Sequence, residues 1–310
     1  MGSERRAHPL LSEMTDQQER EASLKSKDSL PIYNNNVLLR QIRRLKLNIV
    51  VCVKQVPDTA AKLQVVDSHV TWGDSPLIVN PWDEYAYEEA LLLKEKFGGK
   101  ATAVSMGPES AVEALKTCLA VGCDEAYLIT DPALKGSDAS ATALTLAKAV
   151  QKLGDVDLIL LGKQAIDGDT GLTAAMLGRH LGWTVLTQVI KIHEIDPAAK
   201  TIKVERFMEE GRQVCSAKLP AVVSVIKGIN EPRYPSFMGI RKASKATIPT
   251  WGIADLGVDA GQVGASGAFV AWPEIYPMPV KETKVEWIEG GSPQEIAAKL
   301  ADKLIAEKII

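Results

Sequence analysis

The residues best equipped for ligand chemistry run Gly162-Lys163-Gln164-Ala165-Ile166-Asp167-Gly168-Asp169-Thr170-Gly171-Leu172-Thr173. An apolar run, 156–161, precedes them, and Met176, Leu177 and Leu181 recur at helical spacing after them, so they read as the loop between a strand and a helix. In an open α/β sheet such a loop lies at the carboxyl end of its strand, where ligands of these folds usually sit. The helix's first turn offers unpaired backbone N–H groups and Thr170 and Thr173 add hydroxyls, which suits an anionic group. Asp167 and Asp169 repel phosphate unless they face away. One reading aims at least one of them at ribose hydroxyls, backbone donors or a cation; the other gives both to turn and N-cap hydrogen bonds. The loop carries neither G-x-x-x-x-G-K-[ST] nor G-x-G-x-x-G, so it is not a P-loop or a dinucleotide fingerprint.

The whole chain sets limits on that chemistry. Its 310 residues, 46% hydrophobic and 24% charged, are an ordinary globular composition with length for one large or two modest domains. A net charge of −3 gives no basic field and argues against nucleic-acid binding, and no apolar stretch approaches a membrane span. Cys52, Cys118, Cys123 and Cys215 form no C-x-x-C pair and suit a reducing cytoplasm; neither they nor the four histidines have metal-ligand spacing, and no metal site is expected. Residues 1–46 are polar and mixed in charge, and read as a disordered leader. Its acidic residues make it a poor transit peptide, it lacks the apolar core of a secretory signal, and the natural start is expected further in, near Met14 or just before Leu47.

From Leu47 the pattern is regular. Strands are expected at 47–53, 100–105, 127–130 and 156–161, with a small strand pair at 63–66 and 70–72. Helices are expected at 84–97, capped by Asp83, and at 110–121, 138–153 and 174–183. This cadence specifies a parallel sheet with right-handed crossovers, and it brings four loops to one rim: 54–59, 80–83, 106–110 and 162–173. A nucleotide-sized pocket is the natural use of that rim. After Trp183, 185–193, 201–207 and 213–218 alternate as short strands, and 219–226 reads as a further buried strand of the main sheet. Residues 228–246 are polar, proline-containing and basic. The remainder to about 279 has little periodicity and suits an arm laid over another surface, before a last amphipathic helix, 293–309, opened by Ser292.

Four strings, Val-Cys-Val-Lys-Gln-Val-Pro-Asp-Thr at 51–59, Asn-Pro-Trp-Asp-Glu at 80–84, Gly-Lys-Gln-Ala-Ile-Asp-Gly-Asp-Thr at 162–170 and Asn-Glu-Pro-Arg-Tyr at 230–234, closely resemble the β subunit of electron transfer flavoproteins, in that order. The resemblance runs from Leu47 to the C-terminal helix. It implies an α/β/α sandwich of the adenine-nucleotide-binding kind over 47–246, with 247–310 as a C-terminal arm and helix packing on a partner. That partner would be an α subunit holding most of the FAD. The heterodimer would take electrons from acyl-CoA or related dehydrogenases, as in fatty acid oxidation, and pass them to a quinone oxidoreductase or similar acceptor, without inserting into the membrane itself. The β subunit would bury AMP in a pocket of Cys52, Asn80, Pro81, Trp82, Asp83, Met106 and the loop Gly162 to Thr173. Partner recognition would fall on Ile229, Asn230, Glu231, Pro232, Arg233 and Tyr234, with Ile229 as apolar anchor.

On that resemblance the chain does no acid-base or nucleophilic work; the flavin is the redox centre. Trp82 would either approach the α-subunit flavin or pack under the rim. The chain departs from the common pattern at Gly168, where an acidic residue is usual, and at Gly171-Leu172, where an Asn-Gln pair is usual. Asp-Gly-Asp-Thr is similar to bifurcating members in which a second FAD replaces AMP. AMP is the expectation and a second FAD the alternative. Outside the family, a stand-alone nucleotide-binding stress-type module or an ATP-cleaving enzyme on the same fold would be the rivals.

Overall fold

In the computed structural model, residues 46–272, 274–277, 279 and 283–310 are described. All of the expected leader except Lys46 lies outside them. The described chain divides into one unit from 46–62 and 74–272 and another from 63–73 and the described part of 273–310.

Chain order begins with β1 (Leu47–Cys52), β2 (Gln55–Pro57), the hairpin of β3 (Gln64–Val66) and β4 (His69–Thr71), and β5 (Leu77–Val79), which pairs antiparallel with β2. Then follow α1 (Pro81–Phe97), β6 (Gly99–Met106), α2 (Val112–Val121), β7 (Glu125–Ile129), α3 (Ala139–Leu153), β8 (Leu158–Gly162) and α4 (Thr173–Leu181). The chain continues through β9 (Thr184–Asp196), β10 (Thr201–Met208), β11 (Gly211–Lys218), β12 (Ala221–Val225), α5 (Phe237–Ser244), β13 (Thr250–Trp251) and α6 (Pro293–Ala306).

The main sheet has nine strands in the order β11-β10-β9-β12-β8-β1-β6-β7-β13. Pairing is parallel from β9 to β13 along that order, and antiparallel across β9, β10 and β11. Alternation within each strand explains why the central runs are almost wholly apolar. Leu47, Ile49 and Val51 face one core with α1 and α2; Val50 and Cys52 face another with α3 and α4. Leu158 and Leu160 join the first core, Ile159 and Leu161 the second. With both faces covered, these strands are apolar except at Asn48 near the start of β1, whose side-chain amide donates to the Asp155 carbonyl. The parallel sheet expected from the strand and helix cadence, and the α/β sandwich that the resemblance implies, agree with the large, mostly parallel sheet and flanking helices observed.

Besides the three-residue strands β2 and β5, two elements have no counterpart in the sequence reading. Within 228–246 lies α5, whose N-cap Ser236 accepts the Gly239 N–H at 3.0 Å. It has eight residues and buries only Ala243, so its apolar period is too short to register. Just beyond it, β13 adds two residues beside β7, and Trp251 stacks on Tyr127 with ring centroids 4.4 Å apart. The last helix is capped by Ser292 as expected, through the Glu295 N–H. It buries none of its residues, although Ile296 and Leu300 sit on its apolar stripe.

α5 sits very close to α2. A Cβ on Gly239 would lie 2.1 Å from the carbonyl oxygen of Ala120. Replacing this glycine by alanine gains about 1 kcal/mol of helix propensity, but the clash is with backbone and exceeds that gain. Gly239→Ala is expected to be destabilised by about 1 kcal/mol or more net, read as a lower urea midpoint with an unchanged slope.

Candidate functional site

The strand order creates a crevice. After β1 the chain goes to β6 and β7 on one side, then crosses back to place β8 on the other side of β1. The loops leaving β1 and β8 therefore diverge, which is the arrangement at which open α/β sheets bind ligands.

The first turn of α1 is seated against this split. Pro81 occupies the first helical position, where its missing N–H costs nothing. The helix thus begins two residues before Asp83, and Asp83 is not its N-cap as the sequence suggested. Asn80 holds the cap position without capping through its side chain. Its amide instead spans the crevice: Nδ2 donates to the Gln164 carbonyl at 2.9 Å and Oδ1 accepts the Ile166 N–H at 3.2 Å. Asp83 accepts the Lys54 N–H on Oδ2 at 2.8 Å and the Gly162 N–H on Oδ1 at 3.0 Å. Asn80 is 1% exposed and Asp83 6%. Burial pushes the Asp83 carboxyl up to about 7, against the lowering effect of the hydrogen bonds from Lys54, Asn80 and Gly162 and of the Lys54 charge. Beneath it, burial first and the Asp83 charge second push the Cys52 thiol up to about 12. Cys52 is a protonated packing residue here, with no nucleophile character.

The loop after β8 is held at its root and open at its tip. Lys163 donates its backbone N–H to Val225 at 2.9 Å and sets Nζ 5.8 Å from the centroid of the half-buried Trp82 ring. Gln164 donates to the Asp169 carboxylate, and the Asp169 N–H closes a turn on Ala165 at 2.8 Å. Asp167 takes the Lys54 ammonium on both oxygens, at 2.8 and 2.6 Å. Neither aspartate caps α4. Its N-cap residue is Leu172, which offers no side-chain acceptor, so among the described residues no side-chain cap serves the first-turn N–H groups of α4. Gly168, Thr170, Gly171 and Leu172 are exposed around that end, with Thr173 half-buried as the first helical residue. Uncapped donors beside exposed hydroxyl and glycine positions fit the phosphate of a nucleotide. Met106, half-buried at the end of β6, packs into the core under this rim.

The structure thus gathers Cys52, Asn80, Pro81, Trp82, Asp83 and the 162–173 loop around one crevice. Lys54 was missing from the expected set, although it closes the rim by both its backbone and its side chain. A lysine leaving a buried strand, with an aspartate in a second rim loop, was the available signal.

Ile229 to Tyr234 occupy a different place, along the flank of α1. Asn230 donates to the Tyr85 carbonyl and to Glu89, each at 3.0 Å. The Arg233 N–H and guanidinium reach Glu88 at 2.9–3.1 Å, and the guanidinium also reaches Glu95 at 2.5 Å. Glu95 and Glu88 hold the guanidinium firmly protonated, while burial raises Glu89 and its Asn230 bond opposes this. Ile229 packs partly against the core. Glu231 is exposed, Pro232 half-buried, and Tyr234 is 95% exposed. The partners Glu88, Glu89 and Glu95 were not read from the sequence. Carboxylates one heptad apart on a helix flank that also carries the buried Tyr87 and Leu91 were the clue.

The family model described as Electron transfer flavoprotein domain matches residues 73–256. The chain is 38% identical over 273 residues to the electron transfer flavoprotein subunit beta of Megasphaera elsdenii, covering 85% of this chain and 100% of that one. It is 35% identical over 268 residues to Protein FixA of Azotobacter vinelandii, covering 84% and 95%. A third relative is the Caffeyl-CoA reductase-Etf complex subunit CarD of Acetobacterium woodii, 38% identical over 268 residues and covering 85% and 100%.

Asn80→Ala leaves the Gln164 carbonyl and the Ile166 N–H without their partner across the crevice. A buried group left unsatisfied costs about 1–3 kcal/mol. The expected result is a destabilisation in that range, measured by chemical denaturation, with faster amide exchange concentrated in 163–169.

Proposed function

The chain belongs to the electron transfer flavoprotein family, and from that premise we propose that it is the β-type subunit of a heterodimeric electron carrier whose crevice between β1 and β8 binds an adenine nucleotide. The uncapped first turn of α4, facing exposed Thr170 and Gly171, carries this reading. Asn80, Trp82, Lys163 and Gln164 shape the crevice, and the α4 N–H groups receive the phosphate. The bound flavin, held mainly by the α subunit, supplies the electron-transfer chemistry. This chain's residues position and exclude; among the described residues of the crevice none has the pairing of nucleophile and base that group transfer needs. A nucleotide that does not react acts as a folding ligand and stabilises by mass action.

AMP is the first reading. A second FAD is favoured by one observation: Gly168 has open space around the place its Cβ would occupy, and the neighbouring tip from Asp167 to Leu172 is exposed, which leaves room for a larger dinucleotide.

Electrons would come from an acyl-CoA or related dehydrogenase and leave to a quinone oxidoreductase or similar acceptor. The name of the Acetobacterium woodii relative, a reductase-Etf complex subunit acting with a CoA ester, supports that class of donor or acceptor. The docking surface follows Arg233. Tyr234, Phe237 at 80% exposed and Met238 at 68% form an apolar patch beside Arg241 and Lys242. Ile229, expected as the apolar anchor, is itself packed against the core. A cytoplasmic setting is supported by four free thiols.

Co-purification with the α-type subunit, denaturation and quantification of released nucleotide test the reading. One FAD and one AMP per heterodimer are expected; two FAD and no AMP establish the second reading, and no nucleotide beyond the α-subunit FAD sinks the role of the crevice. Phe237→Ser with Met238→Ser should raise the dehydrogenase concentration for half-maximal electron transfer by about tenfold or more, while nucleotide content stays at the wild-type value.

A further inference from the structure

β1 and β8 stop pairing before they end. Their last paired residues are Val51 and Leu160, and beyond this point the two strands separate to open the crevice. The next backbone donors on either side are therefore without a strand partner across the split. Asp83 stands at that point: one carboxylate oxygen accepts the N–H of Lys54 and the other accepts the N–H of Gly162. The carboxylate takes over where the ladder stops.

We propose that Asp83 is a positioning residue, a clamp that joins the loop after β1 to the end of β8 and holds the nucleotide crevice closed without itself touching the nucleotide. The inference rests on the nucleotide reading above and concerns the regulation of that site. Both acceptor oxygens are consumed by backbone donors and the side chain is almost fully buried, so the carboxylate faces the protein and not the ligand. An ionised carboxylate accepts on both sides with both oxygens fully available. A protonated one turns one oxygen into a donor facing an N–H, and an asparagine does the same with its NH2.

The groups facing Asp83 are the Cys52 thiol from β1, the Lys54 ammonium from the loop after β1, the Asn80 amide from the start of α1 and the Cys118 thiol from α2. The Lys54 ammonium is already engaged by Asp167 of the opposite rim loop, so the two rims carry a second, outer tie. With its midpoint near 7, the clamp is set above that pH and released below it. The linkage sign separates release from unfolding. The folded-state midpoint lies above the ordinary value of about 4, so the associated stability is fully present below about 4 and is lost as pH rises through about 7. Acidification thus opens the crevice without weakening the fold through this group.

The test uses the full chain stripped of nucleotide. AMP, and FAD in parallel, are titrated calorimetrically into the wild type and Asp83→Asn about one pH unit above and below the midpoint. Taking the ratio of the two affinities cancels the titration of the phosphate itself. The expected ratio favours the wild type by about tenfold on the alkaline side and falls toward one on the acid side. A ratio that does not change with pH, or that grows on acidification, overturns the clamp. If the wild type binds neither AMP nor FAD, the nucleotide reading fails, and amide-exchange protection of the Lys54 and Gly162 N–H groups decides the clamp alone. That protection should fall for both together as the wild type is taken below the midpoint, and unchanged protection overturns the inference. The same measurement on the wild type decides the matter if Asp83→Asn does not fold.

Discussion

Position 162 has no room for a side chain. A Cβ there would lie 2.6 Å from the Trp82 backbone carbon and from an Asp83 carboxylate oxygen. Only because the last residue of β8 is glycine can the first turn of α1 rest directly on the strand end. That contact brings two polar side chains, Asn80 and Asp83, to a place where apolar strands have just run out of pairing partners. Between them they satisfy four backbone groups in the two rim loops. Each such group left bare in the interior would cost about 1–3 kcal/mol, so the geometry of the crevice follows from the seating of one helix end.

The same helix carries the loop of the proposed docking surface on its flank. Tyr85, Glu88, Glu89 and Glu95 fasten Asn230 and Arg233, and the chain then turns outward to Tyr234 and α5. The residues that define the loop by their sequence pattern are largely the ones that tie it down. The exposed Tyr234, Phe237 and Met238 follow immediately, and Gly239 lets α5 lie against α2 so that this segment rests on a packed support.

How far the sequence discloses this can be argued residue by residue. The sheet was legible because buried parallel strands are apolar on both faces, and because Gly98, Gly122, Gly154 and Gly182 close the helices that alternate with them. The rim was legible as a consequence, since the carboxyl ends of parallel strands share an edge. Asp83 was not: an aspartate before an apolar helical run has the pattern of an N-cap, and Pro81, which starts the helix two residues earlier, is the feature that decides otherwise. Lys54 and Asp167, 113 residues apart, meet only because β1 and β8 are neighbours. α5 escaped because it buries one residue, and β13 because two residues have no period.

The two ends of the nine-stranded sheet differ in a way that bears on solubility. A sheet edge is a row of unpaired N–H and C=O groups that can template pairing with another chain. At one end β13 is two residues long, too short to serve as a template. At the other, β11 runs for eight residues, and its outer row is interrupted by exposed Arg212, Gln213, Ser216 and Lys218. Shifts of register between β9 and β10 add local twist next to it. One edge is protected by brevity and the other by charge and irregularity, so the sheet can remain open at both ends without growing.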